Sequence, residues 1–208
     1  MRTVLVANRK GGVGKTLISV TLAAALAQKD QRVAIADADR QKSSLGWLGR
    51  RPITVPQIRG LDWTRRGDIG EYPKSLDWLI IDAPGSLKGP KAEALIAEAK
   101  AVLVPVQASV FDENATRGFL ADIEELKRVR KGKAAIHLIA NRVRPRSRAA
   151  NVLRDFLVDV GHKPLTTITE RAVYSDMAAQ GLSIFDRNLS ALKPVRKQWS
   201  TILTEIGA

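Results

Sequence analysis

The sequence predicts an α/β fold: a mostly parallel twisted sheet with helices on both faces, carrying a P-loop. Three observations predict it. Short apolar runs alternate with longer helix-patterned segments along the chain, the rhythm of strands joined by crossover helices. A glycine-rich stretch, Gly11, Gly12, Val13, Gly14, Lys15 and Thr16, directly follows the first apolar run. Asp37, Asp39, Asp82 and Asn141 each stand at or just past the end of an apolar run, the edge where parallel sheets bind ligands.

The elements follow in order. Residues 4–7 read as a buried strand, and 16–29, rich in Leu and Ala, as the helix whose N-terminus receives phosphate. A second strand, 33–36, ends at Asp37, Ala38 and Asp39. Between 40 and 76 the pattern is less regular and supports short helices near 44–48 and 68–74. A third strand, 78–81, is closed by Asp82, Ala83, Pro84 and Gly85. Then come a helix over 91–100, a strand over 102–106, and a long helix that Asp112 can cap and that runs through Val129. Strand 135–139, helix 147–160, a strand near 165–168 and two C-terminal helices complete the series.

The 208 residues suffice for one well-buried α/β domain, and no linker, repeat or low-complexity run divides them, so 1–208 read as a single domain. With no cysteine, disulfides, thiolate metal sites and iron–sulfur chemistry are excluded. No signal-peptide core precedes the first strand, and no apolar stretch approaches the roughly 20 residues that span a bilayer, so a cytoplasmic protein is expected. The net charge of +13 points to phosphate-rich polymers or anionic surfaces.

Glycines let backbone N–H groups converge on phosphates without side-chain clash. Lys15 is then placed on the terminal phosphates and Thr16 on a magnesium ion. Asp82, after its strand, is a Walker B candidate that holds magnesium through water. The strict P-loop pattern asks for glycine where Arg9 stands. Lys10 adds a second lysine, giving the deviant Walker A form Lys-Gly-Gly-x-Gly-Lys-Thr over residues 10–16, and here the chain resembles the ParA/MinD family of dimeric ATPases.

The resemblance carries expectations onto matching positions. Lys10, Lys15 and Asp39 are the catalytic candidates: Lys10 reaches across a dimer interface to the partner's nucleotide, and Asp39 orients the attacking water and joins the outer magnesium shell. Nucleotide contacts fall to residues 10–17 (Lys10, Gly11, Gly12, Val13, Gly14, Lys15, Thr16, Leu17) and, on the adenine side, to Asn141 and Arg142, with residues 164–171 flanking the base. Metal contacts fall to Thr16, Asp39 and Asp82. Gly85 is similar to a switch glycine that approaches the γ-phosphate. Two positions depart from the family: Arg40 replaces a proline after Asp39, and Leu17 replaces a hydroxyl, so weaker nucleotide affinity is expected.

Basic residues cluster at Lys127, Arg128, Arg130, Lys131 and Lys133, continuing in Arg142, Arg144, Arg146 and Arg148, and again at Lys193, Arg196 and Lys197. No helix-turn-helix or zinc-finger signature is visible. By resemblance, Arg171, Lys193, Arg196 and Lys197 are the DNA-binding candidates. Val195, Trp199, Ile202 and Ile206 form an apolar stripe, read as a core-packing helix and not a membrane anchor. Residues 171–174 and 181–185 look closest to small ParF-like plasmid partition ATPases, with McdA-type carboxysome-positioning ATPases also similar. The implied activity is ATP hydrolysis with ATP and Mg2+ in a homodimer bound to non-specific DNA. It is nucleoid-associated and reset by a cargo-bound ParB-type or analogous adaptor. A MinD-like membrane regulator and an ATP-dependent metabolic ligase remain as alternatives.

Overall fold

The computed structural model describes residues 1–65, 69–107 and 110–208, apart from the side chains of 110–115, 127 and 128. Its strands are β1 (Arg2–Val6), β2 (Val33–Asp37), β3 (Arg59–Asp62), β4 (Trp78–Asp82), β5 (Ala101–Val106), β6 (Ala135–Val143) and β7 (Thr166–Thr169). They form one sheet in the order β3-β2-β4-β1-β5-β6-β7, every neighbouring pair parallel. The order reverses around β1, so a crevice opens beyond its carboxyl end.

The helices are α1 (Lys15–Ala27), α2 (Ser43–Gly49), α3 (Gly89–Glu98), α4 (Val110–Glu124), α5 (Lys127–Arg130), α6 (Arg148–Asp159), α7 (Ala172–Ala179) and α8 (Lys193–Glu205). Side chains along a strand point alternately to opposite faces. Val4 and Val6 accordingly enter a core shared with α1, α2, α7 and α8, whereas Leu5 and Ala7 enter another shared with α3, α4 and α6. Helix α1 is buried on nearly all sides, which its run of small alanines permits.

Several expectations need correction. No helix forms over residues 69–74, and Asp68 lies outside the described residues. Gly70 lies flat against Trp63, where a Cβ would stand 2.4 Å from the indole. Pro73 supplies no backbone donor, so Ile69, Tyr72 and Leu76 reach the second core from an irregular segment. Edge strand β3 went unpredicted: its Arg-Gly-Leu-Asp sequence is mostly exposed and has no apolar run. The long helix is interrupted at residues 125–126, where Leu126 turns into the second core. Helix α4 starts at Val110, so Asp112 is inside its first turn and does not precede it; the Asp112 side chain lies outside the described residues.

The C-terminal stripe packs inward as expected. Val195, Trp199 and Ile202 are buried, Ile206 packs against the same core, and Trp199 Nε1 donates to the Tyr174 hydroxyl at 2.9 Å. The segment after α7 is also locked in place. Asp186 takes a two-pronged, fully buried ion pair from Arg51 at 2.8 and 2.9 Å, and Trp47 Nε1 donates to the Leu182 carbonyl at 3.3 Å.

Candidate functional site

Because the strands are parallel, the loops after β1, β2, β4 and β6 emerge at one edge. In register, Val6, Asp37 and Asp82 lie side by side across the adjacent strands β1, β2 and β4, with β4 in the middle. A cleft of roughly 1130 Å³ opens above them, lined by the phosphate-binding loop, the turn around Asp39 and the segment from Pro84 to Lys91.

The loop's shape comes from its glycines and from side chains beneath it. Gly12 and Gly14 have φ of 78° and 92°, the left-handed region that β-carbons disfavour. At Gly14 a Cβ would also stand 2.3 Å from Asn141 Nδ2. Buried Asn8 donates to the Pro105 carbonyl and Thr116 hydroxyl, and accepts from the Lys10 N–H at 3.1 Å. Arg9, standing where the strict pattern has glycine, points away from the cleft. It bonds the Leu87 carbonyl at 3.3 Å and pairs with Asp122, so it braces the loop from outside.

Lys15, at the start of α1, is buried and donates to the Lys10 carbonyl at 2.9 Å. Desolvation lowers its pKa, opposed by the charges of Asp82 and Asp39. Thr16 and Leu17 also line the cleft. Lys10 is half-buried and its side chain does not line its own cleft. Leu17 offers methyl groups where the resemblance leads one to expect a hydroxyl, and borders a neighbouring cavity as well.

The three acids have distinct jobs. Asp37 is fully buried, and its Oδ2 accepts from the Ser44 N–H, the Ser44 hydroxyl and the Leu45 N–H at 2.7 to 3.1 Å, so it anchors the start of α2. Asp39, half-exposed in the cleft, accepts from the Gln41 N–H at 3.0 Å and from the Gly85 N–H at 3.3 Å. Asp82 is buried, with Oδ1 at 3.3 Å from the Ser19 hydroxyl and Oδ2 without a hydrogen-bond partner. Burial pushes its carboxyl up to about 7; the nearby Thr16 hydroxyl, which makes no hydrogen bond to Oδ2, pulls it down, Asp37 pushes further up and Lys15 pulls down. An orphaned carboxylate oxygen under Thr16 fits a hydrated magnesium ion, which keeps much of its water shell. Among the described residues no cluster of His, Asp or Glu forms a fuller cage.

Asn141 and Arg142 lie at the end of β6, where a bulge breaks the register with β7. Asn141 is buried and donates to the Val13 carbonyl at 2.8 Å, so its amide supports the phosphate-binding loop from the β6 end. Arg142, at φ 51°, is exposed and lines both the cleft and a cavity of roughly 510 Å³ that also touches Leu17, Asn141 and Arg171. Sequence reasoning missed Lys88 and Lys91 on the cleft's far wall. Their signal was two lysines at the start of a helix, where the dipole favours acids.

The basic residues separate into two groups. Arg130, Lys131 and Lys133 precede β6, whereas Arg142 lies at its far end and Arg144, Arg146 and Arg148 follow it, roughly 30 Å away at 3.3 Å per residue. Lys127 and Arg128 side chains lie outside the described residues. Helix α8 runs against the strands: Glu205 is 4.0 Å from His137 at the start of β6, and Arg2 bonds the Gly207 carbonyl. Its first turns, with exposed Lys193 and Lys197, therefore point to the cleft edge, as does Arg171 ahead of α7. Arg196 differs, because its guanidinium donates to the Arg187 and Leu189 carbonyls at 3.3 and 2.9 Å and so caps a local turn.

Comparison with known proteins agrees with this geometry. Maintenance of carboxysome distribution protein A of Halothiobacillus neapolitanus is 31% identical over 189 residues, covering 88% of this chain and 86% of that protein. The chromosome-partitioning ATPase Soj of Thermus thermophilus is 31% identical over 158 residues, covering 61% and 63%. Apo McdA of Cyanothece shares the fold along the whole of both chains with a TM-score of 0.77 at 19% identity. A plasmid partition protein of Borrelia burgdorferi, solved with AMPPNP, does so with a TM-score of 0.74 at 18% identity over 98% and 99% of the chains. The CobQ/CobB/MinD/ParA nucleotide binding domain matches residues 4–184. With its two-lysine loop, buried acid and cleft in place, the chain belongs to that family and is a nucleotide-binding P-loop ATPase of the ParA/MinD type.

Proposed function

We propose that the protein is a positioning ATPase, one unit spanning residues 1–208. It takes Mg·ATP into the cleft, pairs with a second copy across the nucleotide, binds DNA without sequence preference, and is reset when a cargo-bound adaptor stimulates hydrolysis. The observation that carries this reading is the arrangement of the two lysines. Lys15 is buried within the cleft, while the Lys10 side chain does not line it, the placement needed by a lysine that serves a partner's nucleotide. Lys15 and the loop amides would hold the phosphates, Thr16 and Asp82 the hydrated magnesium, and Asp39 the water in line with the leaving group. Bound Mg2+ supplies charge neutralisation on the phosphates.

The relatives name two cargo classes, chromosomes or plasmids and carboxysomes. A DNA molecule or a protein organelle is accordingly the proposed load, with a ParB-type or analogous adaptor and a cytoplasmic, nucleoid-bound location. No described helix is long and apolar enough to cross a membrane, and the α8 stripe is occupied by the core, so no membrane contact is proposed.

Light scattering and DNA binding with Mg·ATP test the coupling. Lys15→Ala should lose dimer and DNA binding together, and Asp39→Ala should hold the DNA-bound dimer by blocking hydrolysis. A Lys15→Ala protein that still bound DNA in an ATP-dependent manner would defeat the reading.

A further inference from the structure

Lys91 occupies a costly position. It stands in the first turn of α3, where positive charge opposes the helix dipole and no acid offsets it. It is half-buried, and desolvation followed by repulsion from Arg40 lowers its pKa, with Asp39 opposing. Its Nζ reaches across the cleft and donates at 3.0 Å to the carbonyl of Ala38, the peptide just before Asp39.

Beyond the Ala38 N–H to Asp82 carbonyl bond at the end of β4, two bonds among the described residues join the segment after β4 to the turn after β2. The other is the Gly85 N–H to Asp39 Oδ2, long at 3.3 Å. Gly85 faces the phosphate end of the cleft, since a Cβ there would lie 3.4 Å from Gly11 Cα and 3.7 Å from Lys15 Nζ. A terminal phosphate beside Lys15 competes for the Gly85 N–H, and on taking it frees Asp39 Oδ2 for water. Among the described residues, Lys91 is then the side-chain tie left between the Asp39 turn and the segment that has met the phosphate, while the Ala38 N–H to Asp82 carbonyl bond at 3.0 Å holds the root of the turn to the end of β4.

We infer that Lys91 is a positioning residue: by gripping the Ala38 carbonyl it carries Asp39 with the Gly85 segment, so that contact with the terminal phosphate and alignment of the hydrolytic water occur together. This rests on the reading of Asp39 as the group that orients water. The tie acts through Asp39, so it governs the rate of hydrolysis and not the grip on nucleotide.

Single-turnover hydrolysis of Mg·ATP by the full chain, with ATP and ADP affinities, tests it. Lys91→Met, which keeps the stem, should lower kcat by about tenfold or more while KM and both affinities stay within about twofold. Lys91→Arg, able to donate to the same carbonyl, should recover most of the rate; unaltered ADP binding shows that the variants are folded. Unchanged kcat in Lys91→Met overturns the inference. So does a loss of ATP affinity that matches the loss of rate, which would make Lys91 a phosphate ligand. If Asp39→Ala hydrolyses ATP as fast as wild type, the reading of Asp39 fails first and the inference with it; hydrolysis that needs Asp39 but is indifferent to Lys91→Met removes the inference alone.

Discussion

Asp82 shows the cost of a buried, incompletely bonded carboxyl at the foot of the cleft, where the proposed function puts hydrated magnesium. Its carboxyl is buried with one unpartnered oxygen, and burial raises its pKa to about 7. A carboxyl whose pKa is higher in the folded state binds its proton more tightly there, so stability is greatest at low pH and falls as pH rises toward 7. Above that window the full cost of a buried charge is present. Asp82→Asn removes the titration, so thermal unfolding of the nucleotide-free variant should exceed wild type at pH 8 and match it near pH 4, while Mg·ATP stabilises wild type far more. A variant no more stable than wild type at pH 8 would contradict this. The acid itself was legible, because four apolar residues ending in Asp form a local pattern. The tolerance of Arg9 was not, since its partners Leu87 and Asp122 lie far along the chain.

Among elements, α2 matters because Asp37 holds its start and the segment after it reaches the far end of the chain. Arg51 and Asp186 are essentially inaccessible, and their charges are fully bonded: Arg51 also donates to the Pro56 carbonyl and stacks on Trp47, and Asp186 accepts from the Ser183 N–H. Removing one partner of such a pair strands the other charge, at about 3–5 kcal/mol. Asp186→Ala should therefore lower stability by about that much in denaturant unfolding; a loss below about 1 kcal/mol would show that water reaches Arg51. The same contrast explains which elements could be read from sequence. Central strands are buried on both faces and appear as continuous apolar runs, as at 78–81. β3 sits at the edge, and residues 69–76 are shaped by Trp63, whose contacts no local pattern encodes.

For the whole molecule, the proposed DNA binding raises the question of which of two cationic ends a duplex would meet. Basic composition alone joined residues 127–133 to 142–148, but β6 places them at opposite edges of the sheet. Only the carboxyl edge also holds the cleft, and Arg142 lines both the cleft and the cavity beside Arg171. The proposed ATP-dependent DNA binding is accordingly assigned to that edge, where nucleotide and duplex would share residues. Arg146 and Arg148 are exposed there, and Arg146 keeps a left-handed φ of 64°, a conformation unfavourable for a side-chain-bearing residue. Each phosphate contact releases counterions, so the slope of log affinity against log salt counts contacts, about one unit for each. Replacing Arg146 and Arg148 by Ala should weaken duplex binding in Mg·ATP and flatten that slope by about 2, and Lys193 with Lys197 should behave similarly. Arg130 and Lys133 replaced together should leave both quantities near wild type. Fluorescence anisotropy of a labelled duplex across a salt series reads both. Equal losses from the two ends would mean that charge acts diffusely, and the carboxyl edge would then have no special claim on DNA.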